Sequence, residues 1–216
     1  LMQDLWRTKH ATFKIDMETP EETYYTRGGI FAEFSKIVCI SIGIFYFDKA
    51  ENKRKFRVKS VYGDDEKKLL GDFLSLLEKI AVSSEPYHFC GHNICEFDIP
   101  FLCRRLLINN YILPEILDNS GKKPWQMLDV DTLQLWKFGD YKSYTSLKLI
   151  AEVLGIPTPK DDIDGKDVRR VYWEEKNLPR IVEYCQKDVV TVARLLLRCK
   201  GDPHPLANED VIIVSQ

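Results

Sequence analysis

The run over residues 37–47, Ile-Val-Cys-Ile-Ser-Ile-Gly-Ile-Phe-Tyr-Phe, constrains the fold more than any other part of the chain. It is dominated by β-branched and aromatic residues, broken only by Ser41 and Gly43. It is also well short of the roughly 18 apolar residues that suggest a membrane helix. A charged stretch, 48–55, separates it from a second β-rich run at 56–62, so the two read as strands joined by a turn. Upstream, Phe13, Ile15 and Met17 alternate with Thr12, Lys14 and Asp16, a period of two that predicts an earlier strand over 11–17. Three consecutive strands predict an antiparallel meander.

From residue 65 the period changes. Leu69, Leu70, Phe73, Leu74, Leu76, Leu77 and Ile80 recur at helical spacing to about residue 82, a crossover helix after the meander. A short buried strand is predicted over 86–91, a helix over 98–109 and a fifth short strand over 126–131. Further helices are predicted over 143–154, over 165–176 with Asp164 as N-cap, and over 179–198 with proline in the first turn. This order describes an α/β domain with a mixed five-stranded sheet, three antiparallel strands followed by parallel additions, flanked by helices. The 216 residues, 44% of them hydrophobic, suffice for one domain over 1–216. Its core is expected over about 11–199, and the tail 201–216, with Pro203 and Pro205, is expected to leave it.

The start of the chain carries no apolar segment of the secretory kind, and the six cysteines show no Cys-x-x-Cys spacing. The expectation is a cytoplasmic protein with reduced thiols and no membrane association. A net charge of −2 gives no broad basic face for nucleic acid. Four acids concentrated in three motifs more than account for that deficit, however, and divalent cations bound to them would reverse the local sign.

Those motifs are Asp16-Met17-Glu18, Asn93-Ile94-Cys95-Glu96-Phe97-Asp98 and Tyr184-Cys185-Gln186-Lys187-Asp188. On a strand, Asp16 and Glu18 share a face about 6.6–6.8 Å apart, within reach of one or neighbouring hard cations. Taken alone the pattern is weak, because Asp129-x-Asp131 and Asp162-x-Asp164 repeat it. Asp98 is placed where a helix begins, where a carboxylate serves equally as a cap or as a ligand. Tyr184 and Asp188 lie one helical turn apart, and the valines and isoleucine around them call for a partner to any acid on that helix.

Other chemistries lack their signatures. His88-x-Cys90-x-His92-x-x-Cys95 holds zinc-capable side chains, but on a strand His88 and His92 stand about 13 Å apart, too far for a shared ion. The chain has no Gly-x-Ser-x-Gly elbow, phosphate-binding Walker loop or Gly-x-Gly-x-x-Gly fingerprint.

With these motifs the chain resembles the DnaQ-like (DEDD) 3'-5' exonucleases of the RNase H-like fold, and among them the predicted polymerase B-like 3'-5' exonucleases. Leu135-Trp136-Lys137-Phe138-Gly139-Asp140, Leu154-Gly155-Ile156-Pro157 and Asp164-Gly165 add to the resemblance, which covers about residues 11–199. It implies a central mixed sheet with Asp16 and Glu18 on its first, central strand. Asp16, Glu18, Asp98 and Asp188 are then the metal-binding acids for two Mg²⁺ or Mn²⁺ ions. Asp16 would bridge both, Glu18 and Asp188 would serve the nucleophile's ion, and Asp98 the second. Tyr184 marks the DEDDy type and would orient the attacking water with Glu18.

Thr19 and Asn93 are then candidates for holding the terminal nucleotide. Phe97, Phe101 and Arg104 are candidates for the substrate channel, with core packing or solvation as the alternative for each. One departure from the pattern is Lys14, on the face of the first acid where an apolar residue is usual; it implies reduced activity. The implied function is removal of mononucleotides from the 3' end of single-stranded DNA. The alternatives are a 3'-5' exoribonuclease and a non-catalytic nucleic-acid-binding module on the same fold.

Overall fold

The structure, a computed structural model, describes residues 1–13, 18–83, 87–158 and 163–214. The chain opens with two helices, α1 (Met2–His10) and α2 (Pro20–Arg27), followed by the hairpin β1 (Cys39–Asp48) and β2 (Lys53–Tyr62). Then come α3 (Glu66–Ser83), β3 (Cys90–Gly91), α4 (Ile99–Ile108), β4 (Val130–Asp131), α5 (Thr132–Lys137) and α6 (Leu147–Val153). The last elements are α7 (Val168–Trp173), α8 (Leu178–Cys199) and β5 (Val211–Val214).

The long apolar run becomes a strand because both of its faces are covered. Ile40 and Ile42 on one face join Val61, Leu70, Phe73 and Leu77 in a core shared with α3, to which Leu106 of α4 belongs. On the other face Phe45, Phe56 and Val58 pack against Val190, Ala193 and Leu197 of α8. Each fully buried side chain of this size contributes roughly 1.5–3 kcal/mol. The antiparallel register sets Gly43 opposite Val58. A methyl group on Gly43 would come within 2.0 Å of Phe56 and 2.8 Å of Val189, so only glycine lets α8 sit this close to β1.

The sheet departs from expectation in three ways. Among the described residues the strands form a three-stranded sheet, ordered β1-β2-β5, and a separate parallel pair, β3 with β4, in place of one continuous five-stranded sheet. In the first, β1 and β2 are antiparallel and β5 runs parallel to β2, so the mixed character holds with fewer strands. The strands expected over 86–91 and 126–131 shrink to the two-residue pairs β3 and β4, whose surroundings turn at once into helices.

The tail, expected to leave the core, instead returns to it. Leu206 is buried with α8, Arg194 donates to the carbonyl of Leu206 at 3.1 Å and to Asn208 Oδ1 at 2.6 Å, and Val211 joins the edge of the core. Third, Ala11 and Thr12 close α1 through bonds to the carbonyls of Arg7 and Lys9 instead of entering a strand. Phe13 stacks on Phe31 at 5.7 Å and meets the edge of buried Trp6 at 5.9 Å, so its ring belongs to an aromatic cluster beneath α1 and α2. The remaining residues of the expected first strand, Lys14 to Met17, lie outside the described residues.

Among the described residues no helix is long and apolar enough to cross a membrane. All six cysteines are free thiols.

Candidate active site

α8 presents the third motif. The side chain of Asn177 caps its first turn by accepting from Arg180 N at 3.2 Å, and the helix stops before Gly201, which takes a φ of 64°. Ile181 and Val182 anchor the early turns, leaving Tyr184 and Cys185 half-buried at the margin of a cluster with Val38, Cys39, Ile163 and Val171. The Tyr184 hydroxyl donates a hydrogen bond to the Asp188 carboxylate. Burial, then the Asp188 charge and this bond, push the phenol well above the ordinary tyrosine range, so at neutral pH it is a donor. The turn at Gly165 overlies it: a methyl group there would stand 4.0 Å from the hydroxyl.

The second motif is held from beneath. Buried Asp131, at the end of β4, accepts the backbone N–H groups of Asn93 at 2.9 Å, Cys95 at 3.2 Å and Leu133 at 2.9 Å. One carboxylate therefore caps α5 and shapes the turn before α4. That turn begins with Asn93 in the left-handed region, φ 61°, a conformation asparagine tolerates better than most residues, and continues as a π-helical turn over Ile94–Asp98. Gly91 permits the tight entry, since a methyl group there would lie 2.7 Å from Ile94. His92 is locked in place, Nε2 donating to the carbonyl of Thr145 at 2.9 Å and Nδ1 paired with Thr132 Oγ1 at 3.0 Å. Burial lowers its pKa and keeps it neutral.

This turn delivers Asp98 to the head of α4 with no cap bond from its side chain. Surrounding protein, with the charges of Asp131 and Asp188, pushes its carboxyl up to about 6. Its surface stays open to solvent, which screens part of that effect. Asp98 and Asp188, ninety residues apart in sequence, thus share one electrostatic neighbourhood with the Tyr184 hydroxyl. Nearby, the Oδ1 atom of Asn93 is buried with no hydrogen-bond partner among the described residues.

Asp16 and Lys14 lie outside the described residues. Glu18 is not on a sheet strand: it precedes α2, where Oε2 accepts from Thr23 Oγ1 at 3.3 Å and its main-chain oxygen pairs with His10 Nε2 at 3.0 Å. Thr19 is the N-cap of α2, its hydroxyl accepting from Glu22 N at 3.2 Å in a reciprocal capping box. Phe97 and Phe101 form a ring pair at 5.6 Å, Phe97 exposed and Phe101 half-buried, and Arg104 is exposed one turn further along α4. Among the described residues no group of three or more His, Cys, Asp or Glu side chains is placed to hold a metal ion. Two repelling carboxylates are nevertheless hard oxygen donors that a cation would suit.

A family model described as "Predicted 3'-5' exonuclease related to the exonuclease domain of PolB" matches residues 30–211. The chain belongs to this family. The span matched by the PolB-related exonuclease family contains Asn93, Asp98, Tyr184 and Asp188 and begins after Asp16 and Glu18. The chain is also similar to the mouse (Mus musculus) DNA polymerase alpha catalytic subunit, at 24% identity over 215 residues. That alignment covers 92% of this chain and 14% of the relative, so the chain spans a small part of the relative's length.

Sequence reasoning missed Asp131. Its only local signal was an acid directly before a short apolar helix, the pattern of an N-cap, and its bonds to Asn93 and Cys95 cross between separate segments.

Proposed function

We propose that this protein is a metal-dependent 3'-5' exonuclease, a single domain over residues 1–216 that removes nucleotides from the 3' end of single-stranded DNA in the cytoplasm. The observation that carries the reading is that Asp98 lies within electrostatic reach of Asp188, whose carboxylate accepts from the Tyr184 hydroxyl. Membership of a 3'-5' exonuclease family supports the reaction class.

Asp98 and Asp188, joined by Asp16, would hold two Mg²⁺ or Mn²⁺ ions, and Glu18 would reach them only by leaving its bond to Thr23. Bound divalent ions supply charge stabilisation to the attacking and leaving oxygens of a phosphodiester displacement. The chain's own groups do the rest. Tyr184, kept protonated, orients a water while its bond to Asp188 fixes the direction of the phenol. Asn93, whose side-chain oxygen has no partner among the described residues, receives a donor from the terminal nucleotide. Phe97, exposed beside the motif, offers a ring face to the end base.

A second reading is favoured by one observation: among the described residues no three acids are placed to hold a metal ion. On that reading the chain binds nucleic acid without cleaving it. The test is incubation of 5'-labelled single-stranded DNA and RNA with Mg²⁺, Mn²⁺ or EDTA, using wild type, Asp16→Ala, Asp98→Ala and Asp188→Ala. Metal-dependent shortening of DNA that the substitutions abolish is the expected result. Preference for RNA would make it an exoribonuclease. Binding without shortening would establish the non-catalytic reading, and shortening that survives all three substitutions would place the site elsewhere.

A further inference from the structure

The connection between α5 and α6, residues 138–146, contains three aromatic residues at every third position, Phe138, Tyr141 and Tyr144, and no aliphatic side chain. Rings are normally withdrawn from water, yet Phe138 and Tyr141 are each 90% exposed and Tyr144 is 63% exposed. Phe138 is also held in the left-handed region, φ 46°, a conformation that bulky residues adopt only when the surroundings impose it. Capping α5 in that conformation directs the chain straight into Gly139, φ 90°, and on to the exposed Tyr141.

The loop is fixed against the Asn93–Asp98 turn at two points. The Tyr144 hydroxyl donates to Glu96 Oε2 at 3.0 Å, and the carbonyl of Thr145 receives His92 Nε2 at 2.9 Å. The buried Lys137 side chain backs the Tyr144 ring, its ammonium 3.7 Å from the ring centre, and stands 3.9 Å from Glu96. Two residues beyond Glu96 is Asp98. Tyr144 is therefore tied to the turn that carries Asp98 and set over cationic Lys137, and Phe138 and Tyr141 lie on the same loop with Lys142 between Tyr141 and Tyr144.

We propose that Phe138, Tyr141 and Tyr144 form a stacking ledge for unpaired bases of the substrate strand, upstream of the nucleotide at Asp98 and Asp188. This assignment rests on the nuclease reading above. Base stacking accepts any base, because each has an aromatic face, and so suits an enzyme that must hold successive nucleotides irrespective of sequence. A protein-docking face would be expected to mix aliphatic side chains with the rings; residues 138–146 have none.

The test is the affinity of the full chain for a fluorescein-labelled oligothymidine, read by anisotropy in calcium and in EDTA so that binding is measured without turnover. The double variant Phe138→Leu/Tyr141→Leu keeps apolar bulk and removes both rings. It is expected to bind about tenfold or more weakly with an unchanged salt slope, because the rings carry no charge. Phe138→Trp should retain wild-type affinity. Phe47→Leu, an exposed ring at the far end of β1, serves as the control and should also retain it. Equal affinity in the double variant, or no oligothymidine binding by wild type, overturns the ledge. Failure of the nuclease reading is seen separately, as ring-dependent binding without metal-dependent shortening.

Discussion

Asp131 Oδ1 receives the backbone N–H of Asn93 at 2.9 Å, and through that one bond a buried acid sets the start of the turn that carries Asp98. The same carboxylate holds Cys95 and Leu133. Asp131→Ala would leave three backbone donors without their acceptor in a buried setting, at about 2–4 kcal/mol. Urea denaturation should show that loss, and any exonuclease activity should fall with it because Asn93 and Asp98 ride on the turn. An unchanged unfolding midpoint would mean that the turn holds itself.

Asp98→Asn should stabilise the metal-free protein near neutral pH. The Asp98 carboxyl titrates at about 6 in the fold against an ordinary 3.8, so the unfolded chain gives up its proton first as pH rises. Between those values the fold loses stability, and above about 6 the whole penalty is present. Solvent screening reduces it to about 1 kcal/mol. Thermal unfolding at pH 7 should therefore give a higher midpoint for Asp98→Asn than for wild type, with the gap closing towards pH 4. Added Mn²⁺ should raise the wild-type midpoint and leave the variant's less affected.

Tyr184→Phe removes one hydroxyl and little volume. If the phenol orients the attacking water, turnover should drop by about 10²-fold while KM for oligonucleotide changes little. A proportionate rise in KM with undiminished turnover would instead assign Tyr184 to substrate binding.

Arg105 and Glu66 form a buried ion pair that joins α4 to α3, with Arg105 also donating to the carbonyl of Ala32 at 2.7 Å and Glu66 accepting from Ile37 N at 2.7 Å. Burial acts to raise the Glu66 pKa, but Arg105 and the Ile37 and Asn109 bonds outweigh it and leave it below the ordinary value. The depressed pKa means a stabilisation that is present above the ordinary value of 4.5 and lost as pH falls through the folded one. Arg105→Met should cost about 3–5 kcal/mol at pH 7, since it strands the Glu66 charge. That cost should shrink in acid, and a pH-independent difference between the two proteins would exclude this origin.

The parts of the fold that were legible in the sequence are those whose signal is local and periodic. The apolar runs of β1 and β2, the leucine spacing of α3 and the proline in the first turn of α8 each announce an element within a few residues. α1 was not legible because its only buried residue is Trp6, so it has no apolar stripe. α5 was not, because six residues are too few to show a period. The Tyr184 and Asp188 pair followed from helical spacing alone, whereas its proximity to Asp98 depends on how α4 and α8 are placed in space. The expected strand carrying Asp16 and Glu18 rested on alternation, and Phe13 satisfied that alternation while its ring was taken up by Trp6 and Phe31.

The pairing of β5 with β2 sets an order of assembly. β1 and β2 are joined by a short turn and can meet as soon as both are synthesised, but Phe56 meets Val211 only across most of the chain. A polypeptide emerging from the ribosome would carry the second edge of β2 unpaired until Val211–Val214 appeared, with the hairpin already formed. During that interval the edge of β2 is a template for other strands, so the yield of folded protein should depend on how quickly synthesis reaches Val211–Val214.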